Sequence, residues 1–116
     1  MKIREFDDFA VIDLAQDYVT EQDIIEMGTY YNKKYPNKRI AINTSNVSNF
    51  SLDFMEFLSL CARKNKISLF SLNNDIFLQL FISGINNCVD IYLDEQDFIE
   101  EKRLLVKRNL KLVKVA

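Results

Sequence analysis

Residues 40–55 read Ile40-Ala41-Ile42-Asn43-Thr44-Ser45-Asn46-Val47-Ser48-Asn49-Phe50-Ser51-Leu52-Asp53-Phe54-Met55. The three apolar residues at the start predict a buried strand. A short polar loop follows, closed by Val47 and Phe50, and a serine then precedes apolar residues at helical spacing. Because serine is a favoured N-cap, Ser51 predicts the start of a helix. The stretch therefore predicts a strand–loop–helix unit at the middle of the chain.

Strands and helices alternate on both sides of this unit. The predicted strands are 2–6, 9–14, 39–44, 67–72 and 88–93, and the predicted helices are 20–35, 51–66, 74–85 and one that opens at Asp94 and carries Lys102 and Arg103 late in its course. The order β-β-α-β-α-β-α-β-α implies an α/β protein with a mostly parallel sheet. Asp90 and Tyr92 alternate with apolar residues in the last strand, so we predict helices mainly on one face of the sheet.

The element order and the central loop together resemble a STAS domain. In that family a strand is followed by D-L-S, a small residue and V, and then by D-S-S/T-G-L at the opening of a helix. Residues 43–47 stand at the first part and residues 51–55 at the second, in register but degraded. The resemblance implies a STAS-like domain over residues 1–105. Residues 106–116 are predicted to form a basic C-terminal tail or an extra strand.

Composition argues against catalysis. The 116 residues suffice for one domain and include no histidine, the commonest general base and a common metal ligand. With only Gly28 and Gly84, no glycine-rich loop can surround a phosphate. The acidic residues show no converging spacing. We therefore expect no catalytic residue, metal or cofactor, and we expect Cys61 and Cys88 to be reduced thiols.

Charge is distributed unevenly along the chain. The net charge is −2, and residues 106–116 carry +4, so the remaining 105 residues carry −6. An acidic body argues against a nucleic-acid partner, whose phosphates attract basic surfaces. No apolar run approaches the ~20 residues that span a bilayer, and the N-terminus lacks the apolar core of a signal peptide. We expect a cytoplasmic protein without membrane insertion.

The resemblance also implies where a regulatory phosphate would stand. In STAS anti-sigma-factor antagonists, a serine or threonine at the helix-opening loop is phosphorylated, which blocks docking to a kinase-type anti-sigma factor. In our register Asp53 occupies that position. Asp53 is interpreted either as ordinary first-turn helix chemistry or as a mimic of the phosphate. Ser51 is interpreted as an N-cap or, if the register slips, as the phosphorylated residue.

The second predicted helix has one apolar face and one mixed face. Its core face is predicted to contain Phe54, Met55, Phe57, Leu58, Cys61 and Ala62. The opposite face carries two leucines among charged residues. We predict a partner-binding site formed by Ser51, Leu52, Asp53, Glu56, Leu60 and Arg63, while incidental surface leucines remain the alternative.

The third predicted helix is apolar on more than one side. Ile76, Phe77, Leu80 and Phe81 are predicted to face the sheet. Leu78, Ile82 and Ile85 are predicted to point away from it and to be covered by a neighbouring helix, by the C-terminal tail or by another chain. Self-association as a homodimer through these three residues is therefore one hypothesis.

The resulting functional hypothesis is a non-enzymatic protein-binding module in bacterial transcription regulation, similar to an anti-sigma-factor antagonist that binds a kinase-type anti-sigma factor. Two alternatives remain open: a STAS-like cytoplasmic subunit of a lipid-transport ATPase, and a self-associating scaffold subunit.

Overall fold

A computed structural model describes residues 1–34, 37–64, 67–106 and 112–114. Its elements are β1 (Lys2–Glu5), β2 (Phe9–Asp13), α1 (Glu21–Lys34), β3 (Arg39–Asn43), α2 (Leu52–Lys64), β4 (Ser68–Phe70), α3 (Asn74–Ser83), a 3₁₀ turn (Ile85–Asn87), β5 (Asp90–Tyr92), α4 (Glu95–Ile99), β6 (Leu104–Val106) and β7 (Leu112–Lys114). Up to α4 this is the predicted order. Among the described residues, no helix is long and apolar enough to cross a membrane.

The first five strands form one sheet in the order β1-β2-β3-β4-β5. β1 pairs with β2 antiparallel, and every later pair is parallel. The predicted α/β fold with a mostly parallel sheet is confirmed. Because parallel strands end at the same edge, the loops that follow β2, β3 and β4 lie side by side.

The main core lies between the sheet and helices α1, α2 and α3. Strand side chains that alternate toward this face, such as Ile12, Ile42 and Leu69, are fully buried. Phe54 and Leu58 of α2 pack against them, also with no exposed surface. These contacts fix the orientation of α2 and leave its opposite face to solvent.

A smaller core on the other face of the sheet corrects one prediction. The alternation of Asp90 and Tyr92 with apolar residues predicts that Tyr92 points outward, but it is buried beside Phe70 and Phe98. The cover is α4, whose Phe98 ring meets the Tyr92 ring edge to face at 5.5 Å. Arg39 closes this core, because its guanidinium lies 4.3 Å from the centre of the Phe98 ring.

Two helices end earlier than their sequence patterns predict. Gly84 adopts the left-handed conformation (φ +81°) and ends α3. Ile85 follows in the 3₁₀ turn and is buried in the main core, so of the three residues predicted for self-association it is covered within the chain. In α4, Glu101 is left-handed and the Lys102 N–H donates to the Asp97 carbonyl, which completes a Schellman motif.

The C-terminal segment forms a separate hairpin. β6 pairs with β7 antiparallel, with Leu105 opposite Val113. Leu104 packs on the main core. Residues 107–111, 115 and 116 lie outside the described residues, so the prediction of a basic tail is only partly covered by the structure. The division of the chain at residue 105 stays a prediction.

Candidate protein-binding edge of the sheet

The candidate site is the edge at which the parallel strands β2, β3 and β4 end. Three segments meet there: residues 14–20 after β2, residues 44–51 after β3, and residues 71–73 before α3. The middle segment, residues 44–51, overlaps the stretch whose sequence resembles the STAS motif, and we call it the docking loop. Ligand and partner sites favour this edge in open α/β sheets because the loops converge at it.

Neighbouring segments hold the docking loop from both sides. The Ser48 N–H donates to the Asp17 carbonyl at 2.8 Å. From the other side, the Asn73 amide nitrogen donates to the Val47 carbonyl at 3.0 Å. Backbone groups of the loop are thus paired within the fold, and its polar side chains, such as Ser45, remain exposed.

Gln79 of α3 fixes the residue immediately before α2. The Phe50 N–H donates to Gln79 Oε1 at 3.1 Å, and Gln79 Nε2 donates back to the Phe50 carbonyl. The side-chain amide thereby satisfies both backbone groups of a buried residue. It also fixes the start of α2 relative to α3.

Ser51 is the N-cap of α2. Its Oγ accepts a hydrogen bond from the Phe54 N–H at 3.1 Å, as the N-cap interpretation predicts. Asp53 is exposed in the first turn, where a negative charge interacts favourably with the helix dipole. Phosphorylation at Ser51 stays a prediction.

The outer face of α2 is exposed, as the helical periodicity predicts. Leu52 is 83% exposed and Leu60 48% exposed, and the side chains of Asp53 and Glu56 are also exposed. The side chain of Arg63 lies outside the described residues. The structure therefore brings four of the predicted partner residues onto one accessible face beside the cap residue Ser51. Their role in binding stays a prediction.

Helix α3 adds an exposed apolar face next to this site. Ile82 is 81% exposed, and Leu78 and Phe81 are partly exposed. The exposure of Phe81 differs from its predicted position toward the sheet. Gln79 of the same helix contacts Phe50, the last residue before the cap of α2.

One candidate residue was missed by sequence reasoning. Tyr18 is 61% exposed in the segment after β2, directly after the Asp17 carbonyl that accepts from Ser48. A partner that contacts the docking loop can therefore also reach Tyr18. The available signal was an aromatic residue in a loop that must end at the same sheet edge as the docking loop.

The edge is acidic as well as apolar. Residues 14–20, 44–57 and 71–82 contain no lysine or arginine. They contain four acids, Asp17, Asp53, Glu56 and Asp75, all of which are exposed. A partner surface that complements this edge therefore has to combine apolar and basic side chains.

Asp13 lies at the base of the edge, at the end of β2. Burial acts to raise the pKa of its carboxyl, but hydrogen bonds from Arg4 and Asn43 outweigh burial and lower the pKa below its usual value. Asp13 is therefore ionised at neutral pH. Among the described residues, no group of three or more His, Cys, Asp or Glu side chains is placed to hold a metal ion.

Comparison with known proteins gives a structural match. No family model matches the sequence, and no curated protein matches it significantly. A crystal structure from Thermotoga maritima, of a protein provisionally assigned as an anti-sigma factor antagonist, superimposes with a TM-score of 0.69 at 18% identity. The match covers 86% of this chain and 92% of the other. The chain thus has a STAS-like fold, as the sequence predicts.

Proposed function

We propose that this chain is a non-enzymatic regulatory module that binds a kinase-type anti-sigma factor through the docking loop, the outer face of α2 and Tyr18. The observation that carries the proposal is that exposed apolar side chains stand on a backbone that hydrogen bonds hold in place. Leu52 projects into solvent directly after Ser51, on a helix whose start is held by Gln79.

Such an arrangement favours binding for two physical reasons. A loop whose backbone groups are already paired loses little conformational freedom when a partner docks, so less of the interaction energy is spent on ordering. Exposed Leu52 and Tyr18 provide apolar and aromatic surface that a partner can bury. Asp53 and Glu56 add charge that selects a basic partner surface.

Asp53 stands where the resemblance places the regulatory phosphorylated residue, and it cannot be phosphorylated as a serine can. A phosphoserine brings a charge of about −1.5 to −2 and three acceptor oxygens, whereas a carboxylate brings about −1. In this proposal Asp53 is part of the docking surface, so partner binding is not switched at that position. Intact-mass measurement after incubation with the anti-sigma kinase should show no stoichiometric phosphate, and a full phosphate on Ser51 would contradict this view.

The direct test is calorimetric titration of this chain with the purified kinase-type anti-sigma factors of its source organism. Leu52→Ala and Tyr18→Ala should each weaken binding by about 1–2 kcal/mol, as for interface anchors. Ile25→Ala is the matched control, because Ile25 is 55% exposed on α1 and lines a shallow depression with residues of β1 and α1, none of them from the docking loop. Equal effects at all three positions, or no binding by the wild type, would refute the proposal.

Asp53 in place of the phosphorylated residue also keeps the transporter alternative open. STAS-like subunits with eroded phosphorylation motifs occur with lipid-transport ATPases, as the sequence resemblance implies. Titration with such an ATPase subunit is therefore the second arm of the experiment. Binding to the ATPase with loss at Leu52→Ala, and no binding to the anti-sigma factors, would select this alternative.

A further inference from the structure

A continuous chain of polar contacts connects α4 to the docking loop across the far face of the sheet. It begins at Glu95 in α4, passes through Arg4 of β1 and Asp13 of β2, and reaches Asn43 at the end of β3. Asn43 then binds the backbone of Ser45 in the docking loop. These residues come from four elements, of which only β1 and β2 are neighbours in the sequence.

Each contact has specific geometry. Arg4 donates to both carboxylate oxygens of Asp13, from Nε at 2.6 Å and from Nη2 at 3.0 Å, and it also pairs with Glu95. The Asn43 amide nitrogen donates to Asp13 Oδ1 at 2.8 Å, and its Oδ1 accepts from the Ser45 N–H at 3.1 Å. The side chains of Arg4 and Asp13 are only about a quarter exposed. Bidentate arginine–carboxylate pairs of this kind restrict orientation strongly.

The amide of Asn43 is oriented by Asp13. Because a carboxylate only accepts hydrogen bonds, the Asn43 nitrogen must point toward Asp13 and its oxygen toward Ser45. We propose that Arg4 and Asp13 are positioning residues for the docking loop, acting through Asn43 on the backbone of Ser45. The functional meaning rests on the proposed function, but the effect on the loop can be measured without a partner.

Loss of Arg4 removes the cation that holds the Asp13 carboxylate. In the Arg4→Met variant Asp13 can turn toward solvent, and Asn43 then loses the acceptor that sets its amide. The hydrogen bond to the Ser45 N–H becomes weaker, while the pairing of β3 with its neighbours is unchanged. The expected effect is therefore local to the loop and absent from the sheet.

Amide hydrogen exchange tests this prediction. In Arg4→Met, exchange at Ser45 should accelerate about 2- to 12-fold relative to exchange at Ile42 in the centre of the sheet, the range for one hydrogen bond. Lys34→Met is the matched control, since it removes the Lys34–Glu5 ion pair (3.0 Å), which also involves β1 but does not contact Asp13. Its Ser45 exchange should equal that of the wild type.

Two further variants keep the test decisive. Asn43→Ala removes the acceptor itself and should show the largest acceleration at Ser45. If Arg4→Met does not fold, Asp13→Asn replaces it. This variant keeps an acceptor for Asn43 but removes the carboxylate charge, so exchange at Ser45 should accelerate by less than in Asn43→Ala. Equal acceleration at Ser45 and Ile42, or no change at Ser45 in these variants, would overturn the proposal.

Titration with the kinase-type anti-sigma factor completes the experiment. Affinity should fall about 2- to 12-fold in Arg4→Met and stay at the wild-type value in Lys34→Met. An unchanged affinity in Arg4→Met despite faster exchange would overturn the positioning role in binding. If the wild type itself does not bind, the proposed function fails, and the exchange result still decides whether Arg4 positions the loop.

Discussion

Helices α2 and α3 both leave apolar side chains in solvent, but only α2 follows its sequence pattern over the side chains that the structure describes, residues 52–61. In α2 the buried residues Phe54 and Leu58 and the exposed residues Leu52 and Leu60 fall where the helical periodicity predicts. In α3 the same reasoning placed Phe81 toward the sheet, although it is partly exposed, and grouped Ile85 with Leu78 and Ile82, although it is buried. For Ile85 the reason is that α3 ends at Ser83, whereas α2 continues as a regular helix through the residues concerned.

A periodicity argument is valid only as far as the helix extends. Leu78, Ile82 and Ile85 would share one face of an unbroken helix, at spacings of four and three residues. The left-handed Gly84 interrupts that face, so Ile82 is exposed while Ile85 is buried. The comparison can be tested at four places.

The largest expected effect is the difference in unfolding free energy between substitutions on the buried face of α2 and on its exposed face. Phe54 has no exposed surface and meets the Phe50 ring edge to face at 4.6 Å, so Phe54→Ala should lower the free energy of unfolding by about 3–5 kcal/mol. Leu52→Ala should change it by only about 0.5 kcal/mol or less. Urea unfolding measures both. Comparable losses would mean that the outer face of α2 is buried in solution.

The second prediction compares the caps of the two helices. Asn73 accepts from the Ile76 N–H at 2.8 Å and also donates to the docking loop at Val47, whereas Ser51 only caps its own helix. Asn73→Ala should therefore cost about 2 kcal/mol, and Ser51→Ala about 1 kcal/mol. The same unfolding assay applies. A larger cost at Ser51 would show that the loop contact of Asn73 contributes nothing.

The third prediction concerns the glycine that ends α3. A Cβ at Gly84 would meet no atom within 4 Å, so only the left-handed backbone opposes it, and Gly84→Ala should cost about 1–2 kcal/mol. Gly28 lies within α1, where a Cβ would make an ordinary 3.6 Å contact with Phe57. Gly28→Ala should stabilise by about 0.5–1 kcal/mol. Effects of the same sign would contradict the assigned helix end.

The smallest expected effect concerns the exposed face of α3. Because Ile82 is 81% exposed, Ile82→Glu should change the free energy of unfolding by about 0.5 kcal/mol or less. Light scattering on the same samples tests the self-association hypothesis. A dimeric wild type that becomes monomeric in Ile82→Glu or Leu78→Glu would support it, and a monomeric wild type would exclude it under those conditions.

Most of the fold and the position of the docking loop could be predicted because both depend on local patterns. Strand and helix periodicities specify the element order, and Ser51 marks the start of α2 through a contact three residues away. Leu52 and Leu60 could be placed on the outer face for the same reason. For Tyr18 the element order indicates only the shared sheet edge; its place beside the docking loop depends on the tertiary contact between Asp17 and Ser48.

The sequence by itself determined the strands, the helices and the mixed outer face of α2, since each follows from spacing within a single element. The order of these elements then determined the mostly parallel sheet. Tertiary structure alone decided that Tyr92 is buried, because its cover, Phe98, comes from another element. It also decided that Arg4, Asp13 and Asn43 form one chain of contacts. A short turn joins β1 to β2, but the parallel pairing that brings Asn43 of β3 beside Asp13 of β2 forms between strands separated by α1, so no local pattern places the three side chains together.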